Sequence, residues 1–188
     1  MNGTIDITGT VLTTDRLTLR PWRESDLPDL YEYASVDGVG QMAGWNPHRS
    51  MEDSRMILDR FIKQKKTFAL EYAGKVIGSL GIEPYCEENH PELDAMQGRE
   101  IGYVLSKEYW GMGLMPEAVN AVIDWLFQEI QLDFIICGHF VRNNRSQQVI
   151  EKCGFLYSKT VLFETSLNTV ETSLDYILYR PERRNAQC

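Results

Sequence analysis

The chain has 188 residues, of which 43% are hydrophobic and 24% charged, and its formal net charge is −8. Such a chain can bury one hydrophobic core of good size, and its acidic balance disfavours nucleic acid as a partner, because phosphate backbones are bound by basic surfaces. No apolar stretch approaches the roughly 20 residues of a membrane span and no secretion signal is recognisable, so we expect a soluble, cytoplasmic protein without a membrane partner.

The first third of the chain predicts a strand and two helices. Leu17 and Leu19 alternate with polar neighbours, which is typical of a strand. Ser25 is placed to cap a first helix, and Ser50 is placed to cap a second. The apolar residues assigned to these helices are Leu27, Leu30, Tyr31 and Ala34 in the first and Met51, Met56, Ile57 and Phe61 in the second. The glycine-rich segment 36–47 between them is expected to be a loop.

A hairpin and an acidic segment follow. The alternating residues of 68–72 lead into Ala73-Gly74, which predicts a hairpin turn. The segment from Glu83 to Asp94 concentrates acidic residues, and it is either a solvated loop, which is the simpler interpretation, or an electrostatic collar for amines. Cys86 with His90 has no matching second pair, so no metal site is expected.

A glycine-rich turn between a strand and a helix is the most informative motif. Segment 100–105 is typical of a buried strand, and Trp110-Gly111-Met112-Gly113 leads into a helix whose apolar residues recur every three or four positions. Free amides and the positive end of the helix dipole would favour an anion there, although a plain capping loop has the same features. Dinucleotide and triphosphate motifs do not fit, because Pro116 replaces the third glycine and no Gly-Lys-Ser/Thr follows.

The remainder adds a strand, a short helix and two closing strands. Segment 134–140 is typical of a strand, and the helix that follows Asn143 is expected to end at Gly154. Segments 155–163 and 175–179 are expected to close the sheet. The elements together predict an α+β fold, with a mixed sheet flanked by helices.

In this order the motifs resemble the GNAT acyltransferases, most closely the branch that acetylates amino-terminal amines of ribosomal proteins. The resemblance is carried by Thr14–Trp22, by Gly74–Gly78, by the glycine turn, by Asn143-x-x-Ser146 and by the Lys-x-Gly-Phe ending at 152–155. It implies one domain over residues 14–180, with an N-terminal extension at 1–13 and a C-terminal tail at 181–188. It also implies a central mixed, mostly antiparallel sheet with two splayed parallel strands.

The resemblance also implies acetyl-CoA as co-substrate. The pantetheine arm would lie along the backbone of Tyr103, Val104 and Leu105 in the splay, within reach of Asn143. The pyrophosphate would rest on the amides of the glycine turn, which comprises Trp110, Gly111, Met112, Gly113, Leu114, Met115 and Pro116.

Acyl transfer also requires a proton for the departing thiolate. Many relatives supply it from a tyrosine on the helix after Asn143, but Ile150 stands in that place here and cannot donate a proton. Ser146 is therefore the residue that we expect to act as the acid. Its alternative role is a helix cap.

The amine must lose a proton before it attacks the thioester. Glu100 is the first candidate for this base, but some relatives carry their glutamate one residue earlier, where this chain has Arg99. Since one residue changes the face of a strand, Glu100 lies either at the thioester or turned away from it. The alternative bases are Glu164, His139 and His48.

These assignments predict an acetyl-CoA-dependent N-acetyltransferase that acts on a primary amine, such as a protein or peptide amino terminus. A non-catalytic acyl-CoA-binding or protein-interaction module on the same fold is the alternative. Trp45 is expected either to pack in its loop or to form a wall of the acceptor site. The four cysteines are expected to be free thiols. The acceptor, the acyl chain and the choice between monomer and homodimer do not follow from the sequence.

Overall fold

A computed structural model describes residues 1–181, and its eight strands form one sheet. The strands are β1 Leu12–Thr13, β2 Leu17–Pro21, β3 Thr67–Tyr72, β4 Lys75–Glu83, β5 Gly98–Leu105, β6 Phe134–Phe140, β7 Leu156–Glu164 and β8 Val170–Tyr179. They lie in the order β1-β2-β3-β4-β5-β6-β8-β7, in which β5 and β6 are parallel and the other neighbours antiparallel. The expected mixed, mostly antiparallel sheet is confirmed.

Helices cover both faces of this sheet. They are α1 Leu27–Ala34, α2 Met51–Gln64, α3 Leu114–Gln128 and α4 Asn144–Lys152. The core under α3 and α4 includes Leu70 and Ile101, whereas the core under α1 and α2 includes Ala69 and Val76. Successive strand residues point to opposite faces, so the neighbours Ala69 and Leu70 serve different cores. The single α+β domain is therefore confirmed.

The helix starts agree with the sequence at α2 but not at α1. The Ser50 hydroxyl accepts a hydrogen bond from the Asp53 amide at 3.2 Å, as expected of a cap. Ser25 does not cap α1, because it lies inside a 3-10 turn and Asp26 takes the position before the first helical residue. The prediction of a serine cap was wrong there.

The buried sides of these two helices also differ from the expectation. Tyr33 rather than Tyr31 is buried in α1, and Leu58 is fully buried in α2. Met51 and Met56 are 42% and 59% exposed. Buried Ser54 lies four residues before Leu58, so these two set the inward stripe and turn both methionines outward.

The first thirteen residues lie against the domain. Ile7 is 1% exposed within the main core, and Asn2 forms an isolated bridge with Gly98 of β5. Strand β1 pairs with β2 at the sheet edge. The segment therefore contributes to the fold.

A buried ion cluster joins β2 to the start of α1. The Arg20 guanidinium donates to both carboxylate oxygens of Asp26 at 2.8 and 2.9 Å, and its Nε donates to Glu71 at 2.6 Å. Arg20 and Asp26 are each 5% exposed. Loss of one partner would leave a buried charge without compensation.

Arg20→Ala is expected to lower the free energy of unfolding by about 3–5 kcal/mol, because it leaves the buried Asp26 carboxylate without its cationic partner. Urea denaturation measures this loss. Lys75→Ala, which removes an exposed ion pair with Glu32, serves as the control and is expected to cost much less. Equal losses in the two variants would contradict the importance of burial.

Candidate active site

The parallel strands β5 and β6 separate after three residues. Their pairing covers Gly98–Glu100 against 134–136 and stops there, although both strands continue. A cavity of about 610 Å³, here called the splay cleft, opens between them. Its wall includes half-buried Tyr103, Val104 and Leu105. The three residues expected to run beside the pantetheine arm therefore line one continuous cleft.

The glycine turn closes one end of the splay cleft. Gly111 and Gly113 have φ values of 79° and 76°, which favour glycine, and α3 begins directly afterwards. Among the residues that the structure describes, none accepts a hydrogen bond from the amides of 111–115. Pro116 falls in the first helical turn, where its missing N–H costs nothing. The turn thus offers unpaired donors at the positive end of a helix, a suitable cradle for phosphate.

The side chain of Trp110 fixes the rim of this cradle. Its indole Nε1 donates to the Leu105 carbonyl at 2.8 Å, and the Arg145 guanidinium lies 4.7 Å from the ring centroid. Arg145 is exposed and also lines the splay cleft. A cation held over the rim adds to the attraction for an anion.

Ser146 lies on the α4 side of the splay cleft, paired with a tyrosine hydroxyl. Its Oγ is 2.9 Å from the Tyr103 hydroxyl, which also lies 3.2 Å from the Ser146 carbonyl. Burial raises the pKa of Tyr103 well above its usual range, so the phenol stays protonated. Ile150, one turn further along, is buried and offers no proton.

Asn143, not Ser146, caps α4. The Asn143 Oδ1 accepts from the Ser146 amide at 3.2 Å, and its Nδ2 donates to the Met42 carbonyl at 3.3 Å. The Ser146 hydroxyl is therefore not used as the cap and can pair with the Tyr103 hydroxyl. Asn143 lines the splay cleft and connects it to the loop before α2.

Glu100 lies on the face opposite to Ser146. Ile101 and Tyr103 pack on the side of α3 and α4, so the alternation of β5 puts Glu100 with Val104 on the side of α1 and α2. Glu100 also lines the splay cleft at the point where the strands separate. The Glu100 carboxyl group and the Ser146–Tyr103 hydroxyl pair thus approach the cleft from opposite faces.

An acidic cluster surrounds Glu100. Burial, with the nearby carboxylates of Asp175 and Glu83, raises the pKa of Glu100 from 4.5 to about 8. The His90 Nε2 lies 3.1 Å from an Asp175 oxygen, and His90 is 2% exposed. A carboxyl group with a pKa near the working pH can exchange protons in both directions, which suits a general base.

A second cavity of about 620 Å³, here called the side pocket, opens on the face of α1 and α2. It shares Ala43, Val104 and Phe163 with the splay cleft, so the two cavities adjoin. Trp45 lines it and packs on Gly40, where a Cβ would lie 2.2 Å from the indole. The position of Trp45 agrees with the expectation that it forms the wall of a pocket.

The alternative bases divide between the two cavities. Glu164 and His48 line the side pocket, and desolvation lowers the pKa of His48. Buried His139 lines the splay cleft, with its Nδ1 2.9 Å from the Phe140 carbonyl. None of the three combines a position at the strand separation with the acidic surroundings of Glu100.

Sequence reasoning missed the Tyr103 hydroxyl and the pairing of His90 with Asp175. The alternation with Ile101 could have placed the Tyr103 side chain toward α4. His90 and Asp175 are 85 positions apart, so no local pattern connects them. The sequence offers His90 with Cys86 as a possible metal pair, but Cys86 is exposed whereas His90 is buried.

Residues 1–181 contain no helix that is long and apolar enough to cross a membrane. In the same range, no group of three histidine, cysteine or acidic residues is arranged to hold a metal ion. Cys86, Cys137 and Cys153 are free thiols. Cys188 lies outside the described residues.

Comparison with known proteins identifies the family. A family model described as an acetyltransferase (GNAT) domain matches residues 16–156. An uncharacterized N-acetyltransferase of Bacillus licheniformis, p20, is 30% identical over 152 residues, which cover 77% of this chain and 81% of that protein.

Solved structures share the fold. The ribosomal-protein-S5-alanine acetyltransferase of Vibrio fischeri superposes with a TM-score of 0.69 and 22% identity, covering 92% of this chain and 98% of that one. The microcin C7 self-immunity acetyltransferase MccE, solved with acetyl-CoA and AMP, gives a TM-score of 0.73 and 17% identity, with coverages of 89% and 94%. The family model and the B. licheniformis relative together show that this chain belongs to the GNAT acetyltransferases and is an acyltransferase.

Proposed function

We propose that the protein transfers the acetyl group of acetyl-CoA to a primary amine by direct attack of the amine on the thioester. The observation that supports this most strongly is the arrangement at the splay. Glu100 lies on one face, and the Ser146–Tyr103 hydroxyl pair on the other. The acceptor amine could therefore give its proton to Glu100, while the departing thiolate takes its proton from the hydroxyl pair.

The donor is expected to bind with its pyrophosphate on the free amides of 111–115 and its pantetheine arm beside β5. The structure of MccE was solved in complex with acetyl-CoA, which supports the same donor here. The arm would supply hydrogen bonds to the β5 backbone beyond Glu100, where β6 no longer does.

The proposed chemistry releases one proton overall, because an ammonium and a thioester become an amide and a thiol. The acceptor ammonium gives a proton to Glu100, and the free amine forms a C–N bond to the acetyl carbon. The C–S bond then breaks, and the sulfur receives a proton from Ser146, whose hydroxyl is reprotonated by Tyr103 through their hydrogen bond. The second surplus proton of the attached nitrogen returns through solvent to the hydroxyl pair and restores it, while Glu100 releases its own proton to solvent before the next cycle. No covalent enzyme intermediate is required, because a thioester is already activated and the site holds the reactants together.

Incubation with acetyl-CoA and a panel of primary amines and peptides tests the proposal, with CoA thiol release and acetylated product both measured. We expect acceptor-dependent thiol release. Binding of acetyl-CoA without turnover on any amine would instead support the non-catalytic module. A peptide amino terminus is one acceptor class in this panel, in line with the similarity to the V. fischeri enzyme.

Gly113→Ala tests the proposed phosphate cradle. Its φ of 76° strains any side chain, so the turn is expected to deform and the KM for acetyl-CoA to rise about tenfold or more. Gly74→Ala is the matched control, since Gly74 has a φ of 81° in the β3–β4 turn and a Cβ there would meet nothing within 4 Å. It is expected to show similar strain without the change in KM. Equal KM values for the two variants would contradict the cradle.

A further inference from the structure

We propose that the acceptor bound in the side pocket is an amine that carries an anionic group at the far end of an apolar or aromatic body. This inference rests on the proposed function and specifies the substrate class. The ammonium end would point toward the splay cleft, and the anion would meet Arg49 and Arg60 near α2.

The walls of the side pocket suit an apolar body. Tyr33, Trp45, Phe61 and Phe163 line it, and its volume of about 620 Å³ lies in the usual range for sites that enclose a small molecule or a short peptide end. Flat aromatic walls favour an aromatic or aliphatic body over a strongly hydrated chain. A fully charged polyamine would gain little from such walls.

Two unpaired cations lie at the α2 side of the pocket. Arg49 and Arg60 both line it, and among residues 1–181 neither guanidinium forms a hydrogen bond or an ion pair. The Arg60 Cζ lies 6.0 Å from the centroid of the Phe61 ring. The charge of Arg60 also contributes, after desolvation, to lowering the pKa of His48. Two free guanidiniums in a chain of net charge −8 are a recognition feature for carboxylate or phosphate.

The acidic groups around the pocket are distributed differently. The Asp53 carboxylate of α2 accepts a hydrogen bond from the Arg49 backbone amide at 2.8 Å, beside the start of the helix. Glu164 approaches from β7, next to Phe163, which both cavities share. The lining of the pocket thus has two cations and one carboxylate on the α2 side and one carboxylate on the β7 side. This distribution complements an acceptor whose anion lies near α2 and whose ammonium lies at the other end.

The acidic segment 83–94 adds little to the attraction of cationic acceptors. Glu83 pairs with Lys66, Glu92 with Lys159, and Glu87 accepts from Asn2. Three of the five acids in this segment therefore make structural contacts, and two of them are paired with lysines, which weakens the collar interpretation. A preference for basic acceptors therefore has less support than a preference for anionic ones.

The test compares acceptors that differ only in the anion. The probes are para-aminomethylbenzoate, its carboxamide and the corresponding phosphonate, together with alanyl-phenylalanine and its amide. We expect kcat/KM for at least one anion to exceed that of its neutral partner by about tenfold or more, the size of a charge-assisted hydrogen bond. The carboxylate and phosphonate arms distinguish the two anion chemistries.

Variants assign the preference to the pocket. Arg60→Met, and Arg49→Met combined with it, should reduce the ratio of anion to neutral kcat/KM to within about twofold of unity. Arg55→Met, on the same helix but outside the pocket, should keep the wild-type ratio. A ratio near unity in the wild type, or one unaffected by loss of both arginines, would overturn the inference.

Binding separates this inference from the proposed function. Isothermal titration of the same anionic and neutral probes into the protein requires no acetyl transfer. If no amine is acetylated but the anions still bind more tightly in an arginine-dependent manner, the proposed function fails and the acceptor inference stands. If amines are acetylated without an anion preference, the proposed function stands and the acceptor inference fails.

Discussion

Glu100→Gln is expected to lower kcat/KM at pH 8 by about a hundredfold to ten-thousandfold, the usual contribution of a positioned general base. The amide keeps the size and hydrogen-bonding shape of the carboxylate but cannot take the proton from the acceptor ammonium. The measurement is initial-rate kinetics with acetyl-CoA and any acceptor that the panel identifies. Glu88→Gln, at an exposed acid in the loop before β5, is the matched control and should retain wild-type rates.

The pH profile adds a second readout for the same residue. Because the pKa of Glu100 is about 8, wild-type kcat/KM should rise with pH and level off above that value as the base becomes ionised. Acceptors with different amine pKa values separate this inflection from the titration of the substrate. An inflection that moves with the acceptor, or that survives in Glu100→Gln, would assign the base elsewhere, with Glu164 and His139 next to be tested.

Stability should depend on pH in the opposite sense. The folded protein holds the Glu100 proton more tightly than the unfolded chain, since its pKa is about 8 rather than 4.5. The stabilising contribution of this difference is fully present below about pH 4.5 and is lost as the pH rises through 8. The melting temperature of Glu100→Gln should therefore fall less than that of the wild type between pH 5 and 8.

The elements with clear local signals were predictable from the sequence. Glycines at 111 and 113 before an amphipathic helix and the Ala73-Gly74 hairpin turn all appear as expected. These features depend on backbone conformation and periodicity within a few residues, which a single sequence records directly. The start of α1 was not predicted correctly, because the Asp26 carboxylate before the helix pairs with Arg20 of β2.

The environment of the candidate base could not be read from the chain. Whether Glu100 faced the cleft depended on the phase of β5 against α3 and α4. The cause of its raised pKa lies in burial and in Asp175 and Glu83, which reach it from β8 and β4. Contacts between distant segments set both properties. The same is true of the side pocket, whose walls come from α1, α2, the loop before α2 and β7.

Ser146→Ala and Tyr103→Phe should each reduce kcat by about tenfold to a thousandfold, because a thiolate that leaves unprotonated is a poorer leaving group and general acid catalysis is lost. Tyr31→Phe, on α1 and outside both cavities, is the control for removal of a hydroxyl. The Kd for CoA, measured by titration, should change little in Ser146→Ala, which would locate the loss in the chemical step.

The double variant decides whether the two hydroxyls act as one unit. Their oxygens are 2.9 Å apart, and Tyr103 reaches the sulfur only through Ser146 in the proposed relay, so Tyr103 acts as a positioning residue. Residues in one relay are not additive, and Ser146→Ala with Tyr103→Phe should therefore be no slower than the slower single variant within about threefold. Multiplied losses would mean that each hydroxyl reaches the substrate separately. A further distinction comes from the pH dependence of kcat, whose high-pH limb should change in both single variants if they share one proton.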